Sequence, residues 1–262
     1  MSNPLNQYIP PALKRQLTGL FYGWSGNYKT WEEAAAKCSG YHTDEIINRV
    51  KNAVLKVKKG EAVFERDSVL FDEIIYSFPL LSALSVAAID CKQLNVLDFG
   101  GSLGSSYYQN KNFFINKLPF SWNVVEQEHF VKTGKQEFED EYLKFYYTIE
   151  DCLKDKQIDV LVLSSVLQYL PKPYDFIEHF LKSNFKYIVI DRAPVLLEGN
   201  NRICIQKVPK AIYKAQYPCW LLNNEELKNR FLSKYEAVFD HETPESINIA
   251  KAAFKSYFFK LK

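Results

Sequence analysis

The chain has five cysteines and four histidines, and it arranges neither type into a pattern. Cys38, Cys91, Cys152, Cys204 and Cys219 are odd in number and far apart, with no Cys-x-x-Cys and no Cys/His cluster. This excludes a disulfide scaffold and a zinc-type site, and it predicts reduced thiols in a cytoplasmic setting. No apolar run approaches the roughly 18 residues that a membrane span needs, and the first residues lack a secretory pattern, so no stable membrane insertion is expected. The net charge of +2 is too small to argue for a nucleic-acid partner. Glycine is also scarce, at 10 in 262 residues. Three of those ten fall within five positions.

Those three glycines are the most informative feature. Leu94-Asn95-Val96-Leu97 reads as a short buried strand that ends in Asp98-Phe99, followed by Gly100-Gly101-Ser102-Leu103-Gly104. A turn with so little side-chain bulk lets a ligand touch backbone. In open α/β sheets ligands bind outside the carboxyl ends of the strands. A dinucleotide fingerprint needs Gly-x-Gly-x-x-Gly, but Ser102 and Ser105 stand in its second and third glycine slots. Asp98 would also repel a pyrophosphate. A P-loop needs Gly-Lys-Ser/Thr, and no lysine follows Gly104. An acid beside such a turn suits a cofactor that carries a positive charge and a free amine, as S-adenosylmethionine does. Trp122 to Val125 reads as a second strand closed by Glu126-Gln127, where a carboxylate can accept both ribose hydroxyls.

The rest of the chain continues the pattern. Strands are expected at 144–149, 159–165 and 185–192, and two late ones at 236–240 and 256–261. The run Asp159-Val160-Leu161-Val162-Leu163-Ser164-Ser165 is uniformly apolar before its serines, as in a strand covered on both faces. The order predicts an α/β fold: a doubly wound, mostly parallel seven-stranded, Rossmann-like sheet of the class I methyltransferase type. Residues 1–90 are expected to form an N-terminal helical cap, and 91–262 the cofactor-binding α/β domain with a lid insertion near 193–222. In the cap, helices are expected from Thr30 through Ala36, from Thr43, and from Ser68 through Ala88 with an interruption at Pro79. Trp24 to Tyr28 reads as a turn.

The sequence resembles a family of S-adenosylmethionine-dependent methyltransferases often encoded in bacterial surface-polysaccharide gene clusters. The resemblance rests on Trp24-x-Gly26-x-Tyr28, Glu65-Arg66-Asp67-Ser68, Asp98 to Ser105, Val125-Glu126-Gln127, Ser165-x-Leu167-Gln168-Tyr169, Asp191-Arg192-x-Pro194, Gln206-x-Val208-Pro209 and Tyr217-Pro218-x-Trp220. It implies a transferase fold along most of the chain. It also implies that Asp98, Phe99, Gly100, Gly101, Ser102, Gly104, Glu126, Gln127, Ser164 and Ser165 hold S-adenosylmethionine. At Ser102 the chain departs from the commoner glycine, and a serine fits there with φ negative. The expected acceptor is a small molecule or a glycan, a class that comes from the resemblance and not from residue chemistry.

Methyl transfer from a sulfonium is an in-line displacement in which alignment does most of the work. A hydroxyl acceptor gains from a general base. Asp191 is the best-placed carboxylate for that role, with Tyr169 as an orienting hydroxyl, although a structural Asp191–Arg192 pair is the stronger reading. Arg66, Arg192, Gln206, Tyr213 and Trp220 are the candidate acceptor-binding residues, because arginines suit anions and aromatic faces suit sugars or bases. The expected activity is O- or N-methylation of that acceptor. The alternative is a non-catalytic binding or scaffold protein on the same fold in polysaccharide assembly.

Overall fold

The computed structural model describes residues 23–38, 43–208 and 215–262. Tyr213 lies outside the described residues. The parallel core of the sheet consists of β4 (Leu94–Phe99), β5 (Phe120–Val125), β6 (Leu143–Tyr146), β7 (Val160–Ser164) and β8 (Tyr187–Leu196). Two late strands complete it: β12 (Ala252–Leu261) runs antiparallel to β8, and β11 (Tyr235–Glu242) pairs with β12. The spatial order β6-β5-β4-β7-β8-β12-β11 is the expected doubly wound arrangement with a reversed strand near one edge.

Alternation along the central strands fixes the two layers. Val160 and Val162 of β7 and Tyr187 and Val189 of β8 face one cluster with Val54, Leu84 and Trp122. Leu161, Leu163, Ile188 and Ile190 face a second cluster with Ile177, Phe180 and Phe231. A strand buried on both faces cannot afford polar alternation, and burying each such side chain contributes roughly 2 kcal/mol. Helices α2 (Thr43–Lys58) and α3 (Phe78–Cys91) pack on the first layer, and α7 (Pro173–Lys182) and α8 (Asn224–Leu232) on the second. Between them in sequence lie α4 (Ser105–Asn110), α5 (Glu128–Glu137) and α6 (Ile149–Asp155), while α1 is the short helix Trp31–Ala35.

Three more strands extend the seven-stranded core to a ten-stranded sheet. β10 (Gln216–Asn223) joins β8 in parallel at Val195 and Leu196, beyond the last residue paired with β7. β9 (Arg202–Lys207) and β1 (Gly23–Tyr28) follow in antiparallel order. The 193–222 insertion is therefore largely an antiparallel hairpin, and Trp24 to Tyr28 is a strand that covers its edge, not a turn.

The segment before the core differs in one further place. The helix expected from Ser68 begins instead at Phe78, with Pro79 in its first turn, where a missing N–H costs nothing. Residues ahead of it form a hairpin of β2 (Phe64–Arg66) and β3 (Val69–Phe71). Asp67 and Ser68 both take positive φ, 52° and 65°, as a two-residue hairpin turn requires. The Thr30 helix start is as read: its hydroxyl accepts from the Glu33 N–H at 3.1 Å, which caps α1.

Candidate active site

The carboxyl ends of β4, β5 and β7 meet at one edge, which β8 passes at Asp191. Backbone bonds join neighbouring tips: Gly100 N–H donates to Val125 O at 2.9 Å, and Ser165 N–H donates to Asp191 O at 2.9 Å. The glycine turn alternates left-handed positions at Gly100 (φ 74°), Ser102 (φ 54°) and Gly104 (φ 91°). Ser102 thus has the positive φ that the sequence reading excluded for a serine, at a cost on the order of 1 kcal/mol. Gly101 is required by close approach instead: a Cβ there would lie 2.5 Å from the Asp98 carboxyl carbon.

That contact places the turn directly on Asp98, which is 1 % exposed. The indole N–H of Trp122, fully buried on β5, donates to Asp98 Oδ2 at 3.0 Å. Asp98 Oδ1 is buried with no partner among the described residues. Burial raises the Asp98 carboxyl from its ordinary 3.8 to about 7, the Trp122 bond opposes the rise, and the charges of Glu126 and Asp191 add to it. Glu126, at the adjacent tip, is half-buried. Its Oε2 accepts from the Gln127 N–H at 2.6 Å. Burial raises its carboxyl as well, against the hydrogen bonds from the Gln127 and Ser102 N–H groups. Phe99 does not face this edge freely: its ring packs on Phe176 and Phe180, with centroids 5.7 and 5.1 Å away.

At the β7–β8 tips the chemistry is different. Asp191 is fully buried. Its Oδ1 accepts from Ser77 at 2.6 Å and Ser256 at 2.9 Å. Its Oδ2 accepts from Ser164 at 2.9 Å and from Arg192 Nε at 3.1 Å. Four donors occupy the carboxylate, so its geometry is that of an anchor and not of a base waiting for a substrate proton. Ser164 also accepts from Arg192 Nη2 at 3.1 Å. The Ser165 hydroxyl donates to Arg192 O at 3.0 Å. Both serines expected at the cofactor therefore hold the Asp191–Arg192 corner. Arg192 itself has φ 51°, a strained position for a side-chain-bearing residue.

The β2–β3 hairpin lies over this edge and is latched at both ends. Glu65, buried in the hairpin, accepts from the Ser105 hydroxyl at 2.6 Å and from its own turn, the Ser68 N–H, at 2.7 Å. Ser105 directly follows the glycine turn. Arg66 donates to Ile75 O at 3.2 Å and approaches Glu245 at 3.7 Å. The charge of Arg192 is felt at Arg66, whose guanidinium is lowered first by burial and then by that neighbour. The stretch 75–77 links Arg66 to the Asp191–Arg192 corner, through Ile75 O and the Ser77 hydroxyl. A cavity of about 340 Å³ lies between α2 and this hairpin, lined by Arg49, Asn52, Ala53, Lys56, Ser68, Val69 and Leu70, and no strand-tip residue lines it.

The remaining candidates divide. The Tyr169 hydroxyl donates to Gln206 Oε1 at 2.5 Å, which brings those two together, and its ring meets Tyr217 edge-on at 5.9 Å. Trp220 stacks on Trp31 at 6.4 Å and its indole N–H reaches Pro171 O at 3.4 Å, so it packs the β9–β10 extension. The sequence reading missed Trp122, Ser77, Ser105, Ser256 and Glu245.

No protein-family profile matches the chain, and no curated protein sequence matches it. Solved structures do. The fold is similar to the N-terminal domain of EvdMO1 crystallised with SAH and D-fucose, at TM-score 0.50 and 12 % identity, over 86 % of this chain and all of that one. The same domain with SAH alone matches at 0.50 and 11 %, with the same coverage. A Burkholderia thailandensis 1,6-didemethyltoxoflavin-N1-methyltransferase matches at 0.44 and 12 %, over 92 % of this chain and 94 % of that one. The chain has the class I methyltransferase fold.

Proposed function

We propose that the protein is an S-adenosylmethionine-dependent methyltransferase acting on a small or carbohydrate acceptor, by O- or N-methylation, in surface-polysaccharide assembly. The observation that carries the cofactor is the buried, unpartnered oxygen of Asp98 beneath the glycine turn. A buried carboxylate oxygen without a donor is costly, and the ammonium of a bound aminoacyl group would satisfy it. Glu126, one strand away and half-exposed, would accept the ribose hydroxyls. The fold neighbours crystallised with SAH support the same ligand class.

When bound, the cofactor would supply an electrophilic methyl carbon. The chain's own contribution is placement. Asp98 and Glu126 orient the two ends of the cofactor, the glycine turn and hairpin exclude water, and Tyr169, held by Gln206, presents a hydroxyl on the acceptor side. The four donors on Asp191 favour a reaction in which alignment does the work. They equally suit the second reading, a binding protein of the same fold, and turnover separates the two.

Calorimetric titration with SAH tests the cofactor reading. Below pH 7, pairing a cation with Asp98 ionises it, so binding releases a proton. The binding enthalpy should then vary with the ionisation enthalpy of the buffer at pH 6 and not at pH 8.5. Absence of binding at millimolar SAH would refute the reading.

A further inference from the structure

Arg66 of β2 and Arg192 of β8 are both largely withdrawn from water. Arg192 is 18 % exposed and Arg66 23 %. They come from separate elements, the middle of β8 and the β2–β3 hairpin, and one short segment joins them: Arg66 donates to Ile75 O, and Ser77, two residues on, donates to the Asp191 carboxylate that holds Arg192. Bringing two guanidiniums together out of water is unfavourable unless an anion joins them. Asp191 does so only in part, since Ser77, Ser256 and Ser164 fill the rest of its capacity. Asp67, at the hairpin turn, and Glu245 act on both arginines from the side. Glu245 sits in the connection between β11 and β12, and its carboxylate stops 3.7 Å from Arg66 Nη1, outside hydrogen-bond range. Its other oxygen is buried without a partner among the described residues. A permanent arginine–carboxylate pair is shorter and bidentate. Among the described residues, hydrogen bonds take one Arg66 nitrogen and two Arg192 nitrogens, and each guanidinium offers five donors.

We infer that Arg66 and Arg192 together receive an acidic group of the acceptor, a carboxylate or a phosphate, and that the Glu245 carboxylate is an internal stand-in which that group displaces. The inference rests on the methyltransferase reading only for calling the ligand the acceptor; the anion site stands on its own residues. The strained φ of Arg192 is fixed by Ser165 at its carbonyl and by Ser256 at its N–H (3.1 Å), and its guanidinium is held by Asp191 and Ser164. The hairpin carries Arg66 just before its two-residue turn, with its guanidinium on the Ile75 carbonyl. The acceptor would then sit between Tyr169 and the hairpin, with its neutral part toward the cofactor edge.

Three probes on one sugar test this with the full chain: glucose 1-phosphate, glucuronate and glucose, titrated calorimetrically with and without saturating SAH. One or both acidic sugars should bind at least tenfold more tightly than glucose, and which one does so identifies the group. Arg66→Gln, which leaves the Asp191 corner intact, should remove that preference while changing SAH affinity less than twofold. Glu245→Gln should tighten the acidic probe several-fold. Equal binding of all three sugars, an unchanged preference in folded Arg66→Gln, or weaker anion binding in Glu245→Gln would each overturn the inference and leave a structural ion network. Loss of SAH binding with anion binding retained would refute the cofactor reading alone.

Discussion

Replacing Asp98 with asparagine should make the protein more stable at pH 8 while weakening its hold on the cofactor. The side chain is 1 % exposed, and its carboxyl is raised from 3.8 to about 7, chiefly by burial. The folded state therefore binds a proton that the unfolded chain gives up above about pH 4. Stability from this group is fully present below pH 4, and it falls by about 1.4 kcal/mol for each pH unit until about pH 7. Between pH 5 and pH 8 the wild type should lose about 2.5 kcal/mol through Asp98 alone. An asparagine keeps the shape, its carbonyl oxygen can still accept from the Trp122 indole, and it does not titrate. Urea denaturation of both proteins at pH 5 and pH 8 gives the comparison. The change in unfolding free energy across that interval should be about 2.5 kcal/mol smaller in Asp98→Asn, and its SAH affinity should fall by roughly 1.5–3 kcal/mol, the scale of a hydrogen bond to a charged group. Parallel pH profiles in the two proteins would refute the assignment of a proton to Asp98.

Glu126→Ala should weaken SAH binding by roughly 1–3 kcal/mol with little change in melting temperature, as read by calorimetry and a thermal melt. Gly101→Val should destabilise the fold as well as abolish binding, because its Cβ would meet the Asp98 carboxyl at 2.5 Å; a wild-type melting temperature would contradict that packing. Asp191→Ala removes the partner of a buried guanidinium and should cost about 3–5 kcal/mol of stability, measured by urea denaturation. In native protein a thiol reagent should label Cys38 and Cys91 first, since Cys152, Cys204 and Cys219 are fully buried; rapid labelling of all five would count against the β9–β10 packing.

The central sheet was legible because both layers press on it. Val160 to Leu163 have no polar position to confuse the reading, and the acids at the strand ends mark the edge where chains of this kind place ligands. The segment before β4 was less legible for a physical reason. Val69, Leu70 and Phe71 fit a helix start as well as a strand, and only the positive φ at Asp67 and Ser68, which neither residue type announces, turns the chain back. Pro79 could interrupt a helix or open one, and it opens one. The β9–β10 extension was legible at Arg202 to Gln206 and obscure at Trp24 to Tyr28, whose partner lies some 180 residues away. Phe99, Ser164 and Ser165 share a lesson: they occupy the right edge, but a strand tip has two faces, and theirs turn toward the core and the Asp191 corner.

Asp98 stands near the end of β4 and Asp191 where β8 passes the end of β7, and both are buried, yet their surroundings give them opposite tasks. Asp191 receives three hydroxyls and a guanidinium, which leaves no lone pair in need and makes it the fixed point from which Arg192 is aimed. Asp98 receives one indole N–H, and among the described residues no donor meets its Oδ1. An arrangement selected for stability alone would supply that oxygen with a donor from the chain, since leaving it bare costs on the order of 1–3 kcal/mol. The hairpin shows that such donors were at hand, for Glu65, also buried, is met by Ser105 and by a backbone N–H. The uneven treatment of acids along one edge separates the work of holding the sheet tips together from the work of receiving a ligand. Exchanging the two roles tests this division: Asp191→Asn should lower stability with little effect on SAH affinity, Asp98→Asn should do the reverse at pH 8, and equal effects of both substitutions on both measurements would show that the two acids serve one network.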